Sequence, residues 1–157
     1  MKNYILTFFA VIVLTSCAAQ TSFNSFYSEN KHDCEFSIST PAFVANLFIP
    51  NEDVKEFETL LKKVKHYRVM IFSEGSKSLN KKFNRFIKQH KYTSIFRLNE
   101  KGEQVELYFL QKKNKIRELV LKVKSDEDFV LLGLKSNISE EDFNKIIEES
   151  NVKLTSN

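Results

Sequence analysis

The chain has 157 residues, 42% hydrophobic and 28% charged, which suits a single globular domain. Only three glycines and two prolines argue against a loop-rich scaffold or a long disordered tail. A net charge of +4 is too mild to imply nucleic acid as the partner, and fifteen phenylalanines against no tryptophan point to a core filled by Phe rather than a Trp-based sugar platform.

Met1-Lys2-Asn3 opens the chain with one positive charge, and Tyr4 to Leu14 follows as an unbroken apolar run. That run is shorter than the roughly 20 residues a membrane-spanning helix needs. It fits the apolar region of an export signal, about 7–15 residues long. The Leu14-Thr15-Ser16-Cys17 ending resembles the lipobox of bacterial lipoprotein signal peptides. In such proteins the cysteine is acylated and becomes the new N-terminus. The expected organisation is a signal over residues 1–16, a lipidated tether over 17–22 and one domain over 23–157. There is no Asp after Cys17, the usual retention signal for the inner membrane in such lipoproteins, so the resemblance implies the outer membrane, facing the periplasm. With Cys17 taken by lipid, Cys34 stands alone and no disulfide framework forms within the monomer.

Phe23, Phe26 and Tyr27 recur at helical spacing and predict a short helix. Phe36 to Ser39 alternates as a strand. Thr40-Pro41 reads as a cap and first helical residue for a short helix that stops before Pro50. Asn51 caps the next expected helix, whose apolar face holds Val54, Phe57, Leu60, Leu61 and Val64. Tyr67 to Phe72 reads as a central strand, and Gly75 turns the chain. Ser78 then caps a helix with Leu79, Phe83, Phe86, Ile87 and His90 on one side.

From Ser94 the period becomes two. Ser94–Leu98, Val105–Leu110, Ile116–Val123 and Phe129–Leu134 predict four strands with short polar turns, hence an antiparallel meander. Val105, Leu107, Phe109, Leu119, Leu121 and Val123 are expected on the packed face, with Glu106, Lys122 and Lys124 on a partly wet one. The last helix starts at a capping-box-like Ser139-Glu140-Glu141-Asp142, with Ile138 and Phe143 as a hydrophobic staple. The expected class is α+β: a two-layer sandwich of about six mainly antiparallel strands, with helices packed on one face.

FSIST with its short helix, YRVMIFSEGS, the stretch from FNRFIKQH to ELVLKV, and DEDFVLLGLKSNIS with a closing amphipathic helix resemble one family. It is the small lipoprotein family catalogued as domain of unknown function 4252. The resemblance covers most of the chain from about Phe23. It implies secretion and a lipid anchor, with no activity, cofactor or catalytic residue to carry over.

Motifs for chemistry are sparse. Ser78-Leu79-Asn80-Lys81 has the spacing of serine–lysine acyl enzymes, but a helix cap explains Ser78. His32-Asp33-Cys34 offers three ligand types, yet neighbours on a strand alternate faces, so no metal site is expected. Ser125 to Asp128 reads as a hairpin turn rather than a calcium loop. The polar side of the Ser78 helix carries Lys81, Lys82, Arg85, Lys88 and Lys91 without an acid, a candidate patch for anionic headgroups or an acidic partner. The expected function is a non-enzymatic, membrane-anchored envelope lipoprotein that binds a partner or supports envelope assembly, without cofactor or nucleic acid. The alternative is an envelope hydrolase acting on peptidoglycan or lipid esters.

Overall fold

The computed structural model describes residues 22–45, 62–73, 77–100, 102–126 and 128–154. The signal, Cys17, the helix expected from Asn51, and Gly75 lie outside the described residues. In chain order the elements are α1 (Phe23–Asn30), a 3-10 turn (Lys31–Asp33), β1 (Phe36–Pro41), α2 (Ala42–Ala45) and β2 (Val64–Phe72). They continue with α3 (Lys77–Gln89), β3 (Thr93–Glu100), β4 (Glu103–Lys112), β5 (Lys115–Lys124), β6 (Phe129–Ser139) and α4 (Glu140–Leu154).

The six strands form one sheet in the order β1-β2-β6-β5-β4-β3, and every pairing is antiparallel. Strands β3 to β6 form the meander that the alternating pattern predicts. The meander ends with β6 beside β2, which pairs with β1 on its other side. The fold is therefore a six-stranded antiparallel sheet with a few helices, broadly α+β.

Alternation divides the side chains between two faces. One face holds Met70, Phe72, Tyr108, Leu110, Val120, Phe129 and Leu131, which form one core with Phe23, Phe26 and Tyr27 of α1 and Leu79, Phe83, Phe86 and Ile87 of α3. The Phe-filled core expected from composition is real: Phe83 meets Phe26 and Tyr108 edge-on, at centroid distances of 5.6 and 5.9 Å. On the opposite face, Ile116, Leu119 and Ile138 pack with Phe143 of α4, while Val64 and Tyr67 pack with Ala42 of α2. Helices α1 and α3 thus share one face, while α2 and α4 touch the other towards one end, so the expected placement of the helices on one face holds for α1 and α3 alone.

Five expectations change. Glu106 and Lys122 do not lie on a wet face: each is only 1% exposed, on the face that α1 and α3 cover. The expected packed face is the half-covered one, with Val105, Leu107, Leu121 and Val123 partly buried and Phe96 and Leu98 exposed. Both faces carry apolar residues, so periodicity separates them without telling which one the helices choose. Pro41 ends β1 instead of starting a helix, because Thr40 and Pro41 pair with Tyr67 and His66. Val64 belongs to β2, and Ser78 lies inside α3, which begins one residue earlier at Lys77.

Candidate functional site

The basic side of α3 is laid out as the sequence suggests. Leu79, Phe83, Phe86 and Ile87 are buried against the sheet, while Lys81, Lys82, Arg85 and Lys88 are exposed. Lys81, Arg85 and Lys88 follow at i, i+4 and i+7, so they share one stripe, with Lys82 at its flank. None of these forms an ion pair with a described acid. Lys91 lies just beyond the helix, exposed, with φ of 58°. Its N–H donates to Lys88 O at 3.3 Å and the Tyr92 N–H donates to Ile87 O at 3.1 Å, the bonding of a Schellman stop. Glycine is the usual residue at that position.

Two buried charge networks lie beneath the helices, and simple alternation does not reveal either. In the first, the Lys122 ammonium donates to Glu106 Oε2 at 2.6 Å and the Tyr108 hydroxyl donates to the same oxygen at 2.8 Å. Arg97, largely exposed on β3, reaches Glu106 Oε1. Burial raises the Glu106 carboxyl, but hydrogen bonds from Lys122 and Tyr108 and the charges of Lys122 and Arg97 outweigh it. The group is held below the usual carboxylate value. Burial, then the bond to Glu106 and its charge, pushes the Tyr108 phenol up to about 12. The cross-strand register Arg97↔Glu106↔Lys122 was the available signal: three charges side by side on one face of three neighbouring strands.

In the second network Glu118 Oε2 accepts the Phe23 N–H at 2.8 Å and the Tyr92 hydroxyl. Burial and the neighbouring Glu118 charge push the Tyr92 phenol well above its ordinary range. Phe23 also seats its ring over Gly133, where a Cβ would collide with it. Arg68 lies within electrostatic reach of Glu118. A carboxylate from the sheet therefore satisfies a free N–H at the start of α1 and complements the positive end of the helix dipole. Chemically, Glu118 holds the start of α1 to the sheet, whereas Glu106 ties three neighbouring strands together, and its partner Lys122 reaches Asn84 of α3.

The remaining candidates do not converge. The Cys34 thiol is half-buried and donates to Asn30 O at 3.6 Å; burial and the Asp33 charge push it up to about 11. His32, Asp33 and Cys34 do not assemble, and no group of three metal-ligating side chains occurs among the described residues. Ser125 and Asp128 close a hairpin turn, the Asp128 N–H donating to Ser125 Oγ at 2.9 Å. Ser139 caps α4 through the Asp142 N–H at 3.1 Å, as expected. No helix among the described residues is long and apolar enough to cross a membrane.

What the fold and these clusters define is an α+β domain with charged networks sealed inside it and a basic helix outside. The family model described as Domain of unknown function (DUF4252) matches residues 27–146, about three quarters of the chain, and the chain belongs to that family. No curated protein and no solved structure matches it.

Proposed function

We propose that this protein is a lipid-anchored lipoprotein of the bacterial envelope, acylated at Cys17, that binds an anionic partner surface rather than catalysing a reaction. The outer membrane facing the periplasm is its proposed place. The observation that carries this reading is the pinning of Phe23. Its N–H is held inside the domain by Glu118, and only six residue steps separate it from Cys17. Six steps span at most about 20 Å, so a lipid at Cys17 would hold a rigid domain close to the bilayer. Stable anchoring needs more than one acyl chain, which lipobox processing supplies. The exposed stripe of Lys81, Arg85 and Lys88, with Lys82 and Lys91 beside it, supports recognition of an anionic surface.

Metabolic labelling with a palmitate analogue tests the anchor: the wild-type chain should be labelled and Cys17→Ser should not. Equal labelling of both would remove it. Affinity capture from solubilised envelopes tests the surface. An acidic envelope protein that co-purifies with wild type should be lost on charge reversal of Lys81, Arg85 and Lys88.

A further inference from the structure

Among the described residues, the two ends of the β3–β6 meander carry opposite charge. At one end the β3–β4 and β5–β6 turns present Glu100, Glu103, Asp126 and Asp128, with Lys124 among them. At the other end β4 turns into β5 through Lys112-Lys113-Asn114-Lys115, and Lys91 leads into β3. These lysines are exposed. Among the described residues, the acids at the start of α4, next to this end, have partners within the fold. Glu140 accepts from Gln111, Glu141 from Lys145, and Asp142 pairs with Lys63.

The basic end keeps lysine where the backbone favours something else. Lys91 and Lys113 have φ of 58° and 52°, in the left-handed region that suits glycine or asparagine. At the acidic end the corresponding turn uses glycine, Gly102, at φ of 88°. Two lysines in left-handed backbone conformations at one end, against a glycine at the other, place positive charge where an uncharged residue would fit the backbone better.

The tether distinguishes the ends further. Glu118, which holds Phe23, lies three residues along β5 from Lys115, about 10 Å, and six from Lys124, about 20 Å. Six steps of chain from Cys17 reach at most about 20 Å. The basic end therefore meets the bilayer with slack in the tether, whereas the acidic end would need it almost fully stretched. We infer that the domain stands on its membrane through the sheet end formed by Lys91 and the Lys112–Lys115 turn, which recognises anionic phospholipid headgroups. The inference rests on the anchor at Cys17 proposed above and adds to it the face that meets the bilayer.

The test uses the full lipidated chain, in a Cys34→Ser background, reconstituted on vesicles. One fluorescent label is placed at Thr93→Cys or Asn99→Cys, exposed positions near opposite ends of β3, and a quencher is carried on the headgroups. On phosphatidylglycerol vesicles at low salt the Thr93 label should be quenched more strongly than the Asn99 label. The difference should shrink at about 1 M salt, where the screening length falls to about 3 Å. It should also shrink when Lys112, Lys113 and Lys115 are changed to Gln. Equal quenching of the two labels, or stronger quenching at Asn99, overturns the inference. So does an equal preference on neutral phosphatidylcholine, which would leave the lysines to an acidic protein. Flotation at high salt reads the anchor separately. A chain that does not float loses the anchor and the inference with it; a chain that floats but quenches both labels alike loses the inference alone.

Discussion

Lys122, like Glu106, is only 1% exposed on the α3 side of the sheet, and its energetics follow from the partners around it. Its ammonium is compensated by Glu106 at 2.6 Å, with Asn84 Oδ1 at 3.5 Å. Removing one partner of a buried pair costs about 3–5 kcal/mol; without Lys122, Glu106 keeps Tyr108 and Arg97, which puts the loss at the low end, about 3 kcal/mol, whereas removing both partners is often close to neutral. Lys122→Met should therefore lower stability by about that amount in urea unfolding, and Lys122→Met with Glu106→Gln should recover most of it. Additive losses in the double variant would refute the pairing. Cys34 gives a second prediction at this scale. With its thiol at about 11, about one molecule in a thousand carries the thiolate at pH 8. Alkylation by iodoacetamide should be far slower in the native protein than in denaturant, and equal rates would mean that the thiol is not held as described.

At the scale of elements, α1 and α3 are fixed to the sheet by different means. For α1 it is Phe23, Phe26 and Tyr27 in the core, with one carboxylate and one glycine seating its start. Gly133→Ala puts a Cβ into the Phe23 ring, and overpacking of that kind costs about 1–3 kcal/mol. Hydrogen exchange of α1 amides should accelerate in Gly133→Ala more than exchange of β4 or β5, because the clash is confined to the helix seat. For α3 it is the apolar stripe and the stop at Lys91. Replacing a strained non-glycine residue at such a position by glycine usually stabilises, here by about 1 kcal/mol. Lys91→Gly should raise the thermal midpoint while weakening binding to anionic vesicles. A variant that gained stability and kept its vesicle binding would separate Lys91 from the membrane-facing end. The stripe on α3 and the staple on α4 were legible because a helix with one apolar side has one way to pack. The start of α3 was not, because Lys77 precedes a good capping residue and the helix simply extends past it.

Across the whole molecule, the meander was readable from four alternating segments with short polar turns. The buried face was not, since an amphipathic strand pattern assumes that charge means water. Here three charges from three strands satisfy one another, so the face that looks wet is dry. The same networks set how stability should vary with pH. The Glu106 carboxyl is held below its ordinary value, so its contribution is present above the unfolded value of about 4.3 and is lost as pH falls through the folded one. Tyr108 is raised to about 12, and Tyr92 moves in the same direction. Their contribution is complete below the unfolded value of about 10 and is lost as pH rises towards the folded one. A shift of the size seen for Tyr108 corresponds to about 3 kcal/mol. The urea midpoint should therefore be flat for these groups between about pH 5 and 10 and fall on both sides. Glu106→Gln should flatten part of the acid limb, and Tyr108→Phe part of the alkaline one. If both limbs keep their slopes in these variants, the buried networks are not what the pH dependence reports.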